Sequence, residues 1–497
     1  MKIAFAASEV FPYAKTGGLG DVAGALPIEI SRLGHEIKVF IPKYNTIDEV
    51  EFGLKYQWEI GVIPIRVAGQ VHEVYVYTAI MPDSDVQIYF IDCRYYFDRN
   101  KIYTTGKDED ERFILFSKAI IEILQRIQWV PDVIHCNDWQ TGLLPLLLKE
   151  NYGWDRLFDN TSSIFTIHNI AYQGRFLKDA FNKAELRKEH YLHGGIGEYA
   201  GGVNFLKTAI FSSDIINTVS ETYALELLTP EYGEGMESYL ASRKGDFFGI
   251  LNGVDYNIWN PETDKVIPYK FSVNDLSGKF KNKKALLNLL NIPFDENVPL
   301  IGIVSRLVAQ KGFDIIASGI NELMEMNAYW IILGGGELQY EKVLKYMSYY
   351  YPDKVYIQIG YDNEFAHLIE AGADIFLMPS RYEPCGLNQI YSLKYGTVPV
   401  VRKTGGLADT VQDWNELLAQ GLETGTGYSF KDYSPGALIH TIKRAVHDFE
   451  RKDIWGKIQL NGMSKDFSWK RSAEKYIDLY EKAVSKRQIK NASSKLG

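Results

Sequence analysis

Short apolar runs alternate with amphipathic helical stretches along almost the whole of this 497-residue chain, and this alternation constrains the fold more than any other feature. An apolar run of about five residues followed by a stretch of helical period is typical of a parallel sheet covered by helices. The predicted strands are residues 3–7, 37–41, 133–136, 163–167 and 215–219 in the first half, and 300–304, 330–333, 355–359, 375–378 and 398–401 in the second. The alternation predicts an α/β fold with two doubly wound, Rossmann-like domains.

The two series of predicted strands are separated by a stretch near residues 245–260 in which the periodicity fades. We therefore predict an N-terminal domain over residues 1–248 and a C-terminal domain over residues 249–469. A last helical pattern, residues 470–490, is expected to return to the N-terminal domain. We expect the two domains to face each other across a central cleft, because ligands of doubly wound folds bind at the carboxyl ends of the strands.

The overall charge and the cysteines argue against several classes of protein. The chain has 54 Lys and Arg against 63 Asp and Glu, a formal net charge of −9, which disfavours binding of nucleic acid through bulk charge. No apolar run approaches the roughly 18 residues of a membrane-spanning helix. The cysteines Cys93, Cys136 and Cys385 show no CxxC spacing and predict neither a disulfide framework nor a zinc site. We expect a cytoplasmic protein without nucleic acid or membrane partners, or a protein of the plastid stroma if the source is a plant or alga.

A glycine-rich stretch, KTGGLGD at residues 15–21, follows the first predicted strand and begins a helix. Its glycines allow backbone N–H groups to approach a phosphate, the helix start adds positive dipole, and Lys15 adds a positive charge. The spacing matches neither a P-loop nor a complete GxGxxG motif. A plain tight turn therefore remains the alternative to a phosphate-binding loop.

Cations and glycines also follow the strands of the second half. Arg306 and Lys311 lie on one predicted strand-to-helix connection, where both could reach a diphosphate, although two solvated surface cations are an equal alternative. Glycines 334–336 follow the next strand. After the strand at 375–378, Glu383 and Gly386 precede a further helix, so the carboxylate could bind a sugar hydroxyl or simply cap the helix.

Polar side chains follow two predicted strands of the first half. His135 and Asp138 lie at one strand end, and His168 and Asn169 at another. A single histidine in such a place is more often a core or capping residue, but two polar strand ends in one domain favour a binding site. The sequence contains no HExxH motif for a catalytic metal.

In their order and spacing, these stretches resemble the bacterial glycogen synthase and plant starch synthase family, which extends α-1,4-glucan from a nucleotide-sugar. The matching motifs are KTGGLGDV at 15–22, HCNDWQTGLLP at 135–145, TIHNIAYQG at 166–174, NFLKTAI at 204–210, ILNGVD at 250–255, SRLVAQKG at 305–312, RYEPCGLNQIYSLKYGT at 381–397 and TGGLADTV at 404–411. The resemblance implies a GT-B fold and a retaining glucosyltransferase that needs no metal or other cofactor. It implies ADP-glucose as donor and an α-1,4-glucan as acceptor, and leaves the oligomeric state unknown.

The resemblance also implies roles for individual residues. The implied catalytic residues are Glu383 near the glucose, Arg306 and Lys311 at the diphosphate, and His168 and Asp138 at the sugar. The implied substrate-binding residues are Lys15, Gly17, Gly18, Leu19 and Asp21 in the first glycine-rich loop, Asn169, Asn252, Tyr361 against the adenine, Cys385, Gly386, Leu387 and Thr404. Many related GT-B enzymes carry a second carboxylate eight positions after the first; here that position is Tyr391, as in glycogen and starch synthases generally.

Three other functions compete with this interpretation. A sucrose-forming transferase or a non-hydrolysing epimerase would keep Arg306, Lys311 and Glu383 but should lack KTGGLGDV and HCNDWQTG. A pyridoxal-phosphate phosphorylase shares the fold type, but no segment for its cofactor lysine is recognisable. A non-catalytic glucan-binding scaffold would suit the many aromatic residues, but a scaffold would be expected to lose at least one of Lys15, Arg306, Lys311 and Glu383.

Overall fold

The two predicted series of strands form two separate parallel sheets, and each sheet lies in its own unit of the structure, a computed structural model that describes residues 1–494. The α/β prediction is confirmed. One unit contains residues 1–219, 224–253 and the chain from residue 469, and the other contains residues 220–223 and 254–468. The sequence analysis places the boundary after residue 248, whereas the contacts group residues 249–253 with the first unit.

The first unit is built on a sheet that is parallel in its centre and antiparallel at one edge. The strands of the first half are β1 (Lys2–Ala6), β2 (Glu36–Pro42), β3 (Lys55–Tyr56), β4 (Ile63–Val67), β5 (Gln70–Ile80), β6 (Gln87–Asp92), β7 (Val133–Asn137), β8 (Ser162–Ile167), β9 (Arg175–Phe176), β10 (Glu198–Tyr199), β11 (Gly202–Asn204), β12 (Ile215–Thr218) and β13 (Phe247–Gly249). The main sheet has the order β13-β12-β8-β7-β1-β2-β6-β5-β3, with β4 paired to β5, and β9 to β11 form a small separate sheet. Because β1 pairs with both β2 and β7, the order reverses beside β1, and this is the point at which such sheets bind ligands.

Burial explains why most central strands were visible in the sequence. All five residues of β7 are buried, since helices cover both faces, and three of them, Val133, Ile134 and Cys136, are apolar. The antiparallel strand β5 alternates buried and more exposed residues instead, because one of its faces meets solvent.

The helices of the first half are α1 (Gly18–Arg32), α2 (Arg94–Phe97), α3 (Glu109–Arg126), α4 (Leu144–Glu150), α5 (Asp179–Lys183), α6 (Phe205–Ser212), α7 (Glu221–Glu226) and α8 (Glu237–Ser242). Helix α1 begins directly in the glycine-rich stretch, so its first turn lies at the end of β1. Among residues 1–494, no helix combines the length and the apolar character needed to cross a membrane.

The second unit contains a single parallel sheet. Its strands are β14 (Leu300–Val304), β15 (Tyr329–Gly334), β16 (Val355–Ile359), β17 (Ile375–Met378), β18 (Val398–Arg402) and β19 (Tyr428–Phe430). The order β16-β15-β14-β17-β18-β19 is the 3-2-1-4-5-6 order of a dinucleotide-binding fold. The order reverses between β14 and β17, so the loops that follow these two strands lie side by side at the expected binding point.

The helices of the second unit are α9 (Ser277–Leu289), α10 (Phe313–Ser318), α11 (Ile320–Glu325), α12 (Leu338–Tyr350), α13 (Asn363–Gly372), α14 (Asn388–Lys394), α15 (Gly405–Thr410), α16 (Trp414–Leu418), α17 (Pro435–Glu450) and α18 (Lys452–Met463). Large apolar side chains such as Trp330 and Trp414 are fully buried between these helices and the sheet.

The last helix, α19 (Trp469–Ser494), belongs to the first unit. Its buried residues, among them Ala473, Tyr476 and Tyr480, recur at helical spacing and face the sheet and α1. A buried hydrogen-bond chain fixes the helix: Tyr480 Oη lies 2.8 Å from His135 Nδ1, and His135 Nε2 lies 2.6 Å from Thr166 Oγ1. Because the Thr166 hydroxyl donates to Asn217 Oδ1, it accepts from His135 Nε2, and His135 Nδ1 accepts from Tyr480. Burial lowers the pKa of His135 to about 3, so the imidazole is neutral.

Candidate active site

The reversal point of the second sheet holds a close ion pair between two of the predicted residues. Lys311 lies in a short turn after β14, and Glu383 lies in the loop after β17. Lys311 Nζ is 2.5 Å from Glu383 Oε2, and the Ser380 hydroxyl donates to the same oxygen at 3.0 Å. The Glu383 side chain is buried. In contrast to Oε2, its Oε1 forms no hydrogen bond with residues 1–494. The pair therefore fixes the carboxylate through one oxygen and leaves the other available to a ligand.

The loop after β17 is held in turn by the glycines that precede α15. The backbone nitrogen of Gly406 donates to Glu383 O at 3.1 Å. Gly405 has φ +44°, and a Cβ atom there would lie 1.9 Å from Glu383 O. Only glycine fits both the backbone angle and the close approach. The predicted residue Thr404, which immediately precedes α15, is fully buried beside this contact.

Residues 385–387 continue the loop into α14. The side chain of Gln389 donates to Cys385 O and to Gly386 O, each at 3.1 Å, and so fixes the turn. Leu387 immediately precedes α14 as its N-cap residue. The predicted backbone positions Cys385, Gly386 and Leu387 thus form one rigid turn next to Glu383.

Arg306 lies at the end of β14 as predicted. Its side chain is exposed, and its guanidinium forms no hydrogen bond with the described part of the chain. The glycines after β15 serve a packing role here, since a Cβ on Gly334 would lie 1.9 Å from Ser305 O. They allow the loop that carries Arg306 to lie directly on the next strand end, where Leu307 N donates to Gly335 O at 3.0 Å.

Tyr361 lies further along the same edge of the sheet, after β16. Its side chain is 82% exposed, and its hydroxyl donates to Asn363 Oδ1 at 3.1 Å. The ring is therefore fixed at one end and open on its faces, as a stacking platform requires.

In the first unit, the loop after β1 contains a second ion pair of predicted residues. Lys15 Nζ lies 2.6 Å from Asp21 Oδ1, and both side chains are partly exposed, 40% and 31%. Burial raises the pKa of Asp21, while Lys15 opposes that shift. The pair holds the lysine over the start of α1.

Glu9, which the sequence analysis missed, organises this loop from below. Its carboxylate is buried and accepts hydrogen bonds from the backbone nitrogens of Thr16 and Gly17 at 2.5 and 3.0 Å. It also accepts from Thr16 Oγ1 at 2.7 Å and from the Tyr103 hydroxyl at 2.6 Å. The backbone N–H groups of Thr16 and Gly17 therefore donate to Glu9. Those of Gly18 and Leu19 lie in the first turn of α1, where the backbone N–H groups of a helix have no acceptor within the helix. The sequence shows Glu9 only as an isolated carboxylate shortly after the buried strand β1.

Asp138, Asn169 and His168 meet at the ends of the neighbouring strands β7 and β8. Asp138 Oδ1 accepts a hydrogen bond from the backbone nitrogen of His168 at 2.8 Å, and the backbone N–H of Asn169 donates a second hydrogen bond to the Asp138 carboxylate. Asp138 has φ +56°, a conformation that non-glycine residues rarely adopt and that persists only where the surrounding contacts hold it. Burial raises the pKa of Asp138 to about 7, while the two amides oppose the shift.

His168 is buried and has a defined tautomer. Its Nε2 lies 2.9 Å from Asn137 Oδ1, while the amide nitrogen of Asn137 donates to Ala6 O at 3.0 Å. His168 therefore donates from Nε2 and keeps a free lone pair on Nδ1. Burial lowers its pKa to about 3, which keeps the ring neutral. The imidazole can accept a hydrogen bond from a hydroxyl group but carries no charge of its own.

Asn252 is the predicted residue that the first unit places apart from the others. It follows β13 at the far edge of the sheet, is buried, and its Oδ1 has no hydrogen-bond partner within the described residues. The remaining predictions in this unit cluster at the ends of β1, β7 and β8. In residues 1–494, no three His, Cys, Asp or Glu side chains come together in a way that could hold a metal ion.

Two family models match the chain. One describes the starch synthase catalytic domain and matches residues 2–242, and the other describes glycosyl transferases group 1 and matches residues 291–459. Among curated proteins, the glycogen synthase of Koribacter versatilis is 45% identical over 488 residues, covering 97% of this chain and 98% of that protein. The glycogen synthase of Thermotoga maritima is 42% identical over 489 residues, covering 98% of this chain and 99% of that protein.

Solved structures show the same relationship. The catalytic domain of starch synthase IV from Arabidopsis thaliana, solved with ADP and acarbose, has a TM-score of 0.88 at 32% identity and covers 97% of this chain and 99% of that chain. A sucrose-phosphate synthase from Thermosynechococcus elongatus has a TM-score of 0.59 at 16% identity, covering 97% of this chain and 98% of that chain, which reflects the shared fold alone.

Proposed function

Because this chain belongs to the glycogen synthase and starch synthase family of glucosyltransferases, we propose that it transfers glucose from ADP-glucose to the non-reducing end of an α-1,4-glucan, with retention of configuration and release of ADP. It is an enzyme of glycogen or starch synthesis. The donor, the acceptor end, the stereochemistry and the residue roles are the proposed part.

The leaving diphosphate is the group whose charge increases as the glycosidic bond breaks. Fixed cations at that position stabilise the transition state more than the ground state. Lys311 is fixed by its ion pair with Glu383, and Arg306, at the end of the same strand, offers an exposed guanidinium that pairs with none of residues 1–494. We assign both to the diphosphate, which makes a metal ion unnecessary for this role.

Glu383 is assigned to the glucose hydroxyls rather than to nucleophilic attack. Its Oε2 is bound by Lys311 and Ser380, and this pairing reduces the nucleophilic character of the carboxylate. Its Oε1 remains available to accept from a sugar hydroxyl. Retention would then follow a front-face route, in which the departing phosphate oxygen takes the proton of the attacking 4-hydroxyl and the new bond forms on the face that ADP leaves.

The predicted residues of the first unit are assigned to the rest of the donor. The unprotonated Nδ1 of neutral His168 is suited to a glucose hydroxyl, and the Asp138 turn fixes the strand end that carries it. Lys15 and the first amides of α1, at Gly18 and Leu19, offer positive charge and N–H donors to a phosphate. Asn252 Oδ1, buried and without a hydrogen-bond partner in the described part of the chain, is a further acceptor for a ligand hydroxyl.

The partners and the location follow from the same family membership. We propose a glucan acceptor and ADP-glucose as the two partners, no resident cofactor and no nucleic acid or membrane partner, and a cytoplasmic enzyme. Tyr361 would stack on the adenine, and the turn at residues 385–387 would present its backbone to sugar and phosphate.

The observation that carries the proposal is the Lys311–Glu383 ion pair at the reversal point of a dinucleotide-type sheet. The test is transfer of labelled glucose from ADP-glucose, and separately from UDP-glucose, to glycogen in the presence of EDTA. We expect incorporation from ADP-glucose that resists chelation and is lost in Glu383→Ala. Absence of incorporation from either donor would reject the proposed function, and a strict need for a divalent ion would reject the role given to the two cations.

A further inference from the structure

Tyr433, a residue without a predicted role, connects the loops that carry the Lys311–Glu383 pair. It follows β19, the edge strand of the second sheet, and its side chain is partly buried. Its hydroxyl lies 3.0 Å from Ala309 O, and it also hydrogen-bonds to Asp314 Oδ1. Ala309 begins the short turn that ends at Lys311, so the tyrosine fixes the backbone two residues before the catalytic lysine.

The ring of Tyr433 contacts two arginines from the neighbouring strand ends. The guanidinium carbon of Arg381 lies 5.1 Å from the ring centroid, and that of Arg402 lies 5.4 Å away. Both distances are within the range of a cation–π contact. Arg402 also donates to Arg381 O, so the two arginines and the ring form one packed group.

These contacts join the loops on both sides of the reversal point. The loop after β17 contains Arg381, two residues before Glu383. The backbone nitrogen of Arg381 donates to Gln310 O at 2.8 Å. The loop after β14 contains Gln310 and Lys311. A hydroxyl bound to one loop and a ring packed on the other therefore fix the relative position of Lys311 and Glu383.

We propose that Tyr433 is a positioning residue for glucosyl transfer, which holds the loops of Lys311 and Glu383 in the register that their ion pair requires. This inference rests on the roles given to the pair in the proposed function. The tyrosine touches neither residue of the pair directly; it acts through Ala309, Asp314 and Arg381. The phenol has one proton shared between two acceptors, so a Phe at this position removes both bonds and keeps the ring.

The chain offers a matched control in the same unit. The Tyr428 hydroxyl donates to Asp448 Oδ2 at 2.8 Å, and the Arg444 guanidinium lies 5.6 Å from its ring. Tyr428→Phe thus removes a similar bond to a carboxylate beside a similar arginine contact, but on β19 and α17, away from the two loops. If Tyr433→Phe lost activity only because the second unit became less stable, Tyr428→Phe should lose activity as well.

The experiment compares transfer from ADP-glucose to glycogen by the wild type, Tyr433→Phe and Tyr428→Phe, together with thermal midpoints. We expect Tyr433→Phe to lower kcat about five- to twentyfold, because small errors in placing catalytic groups are costly, and to leave the KM for glycogen unchanged. Tyr428→Phe should keep kcat within about twofold of the wild type, because its hydroxyl binds Asp448 and neither of the two loops, and sites that share no partners act independently.

A double variant tests whether Tyr433 affects activity through Lys311. In a Lys311→Ala background, Tyr433→Phe should add less than about twofold, because residues that act through one another are not additive. A full further loss in that background, or equal losses in Tyr433→Phe and Tyr428→Phe, would overturn the inference. If Tyr433→Phe does not fold, Asp314→Ala, which removes one of the two acceptors, is measured against the same control. An inactive wild type would instead reject the proposed function, so the two failures are distinguishable.

Discussion

The carboxylate of Glu9 lies 3.0 Å from the backbone nitrogen of Gly17. An acidic side chain therefore accepts from an N–H group that, in a phosphate-binding loop, would donate to the phosphate. Glu9 also binds the Thr16 hydroxyl and the Tyr103 hydroxyl through its other oxygen. The glycine-rich loop is therefore built around an internal anion, and its ligand-binding amides are those that follow, at Gly18 and Leu19.

Glu9→Gln should raise the KM for ADP-glucose. The amide places an NH₂ group where one carboxylate oxygen now accepts, so at least one of the bonds that fix the loop is lost. Loss of a charge-assisted bond costs about 1.5–3 kcal/mol, so we expect about a tenfold or larger fall in kcat/KM in steady-state assays. Glu29→Gln in α1 is the control and should have little effect, since Glu29 pairs with the half-exposed Arg32 and lies outside the glycine-rich loop.

Lys311→Ala and Glu383→Gln should each lower kcat about a hundredfold, the scale of losing one electrostatic contact to developing charge. The double variant should lose little more than either single change, since each group holds the other at 2.5 Å. The control is the exposed pair Lys403–Glu416, at 2.6 Å, whose removal should leave kcat unchanged. Independent, multiplying losses in the first cycle would contradict a shared role for the pair.

Gly405→Ala should displace Glu383 and abolish most of the transfer activity. The added Cβ would lie 1.9 Å from Glu383 O at a backbone angle of +44°. We expect at least a hundredfold lower kcat, the size of effect that a displacement of about 1 Å can produce. Gly436→Ala in α17 is a suitable comparison, because a Cβ there has no atom within 4 Å. Equal activity of the two variants would show that the Glu383 loop tolerates displacement.

Tyr361→Ala should raise the KM for ADP-glucose about tenfold, since stacking of an aromatic ring on a base is worth about 1–3 kcal/mol. Tyr361→Phe should retain the affinity, and neither change should shift the thermal midpoint, because the side chain is 82% exposed. Tyr349→Ala removes a similarly exposed ring, 78%, from α12 and should leave the KM unaltered. An unchanged KM in Tyr361→Ala would reject the stacking role.

His135 should make the first unit less stable in acid. Its pKa is about 3 in the folded protein because of burial, against about 6.5 in an unfolded chain, so the unfolded state binds the extra proton between these values. The free energy of unfolding therefore rises with pH across this window, and the His135 contribution stops changing above about pH 6.5. At pH 5 the buried imidazole lowers the free energy of unfolding by about 2 kcal/mol relative to pH 6.5. Thermal midpoints at pH 5 and pH 7 should differ less in His135→Gln than in the wild type. His168, buried in the same way, would keep a residual dependence in the variant. An identical difference in both proteins would contradict this assignment.

The parts of the fold that the sequence predicted are those buried on both faces. Strands such as β14 and β17 are continuous apolar runs, whereas β5 alternates and carries Tyr75 and Tyr77 on its more exposed face, so the run was not recognised. Gly334 was visible as a glycine, but its reason, the approach of Ser305 O, depends on a contact between two loops.

The predicted site residues were those whose spacing within one loop forms a motif. Glu9 stands alone in sequence, and Tyr433 is separated from Ala309 by 124 residues, so neither belongs to a local pattern. Their roles depend on the strand order, which periodicity does not contain.

The helix α19 completes the first unit with residues from the far end of the chain. During synthesis, all of the second unit up to Ser468 is made before Tyr476 and Tyr480. Until then His135 Nδ1 and Asn217 Nδ2, both buried in the first sheet, lack the tyrosine hydroxyl groups that they bind. Vectorial folding from the N-terminus therefore cannot finish this unit first, and the nascent N-terminal sheet must wait for its last helix with part of its core uncovered.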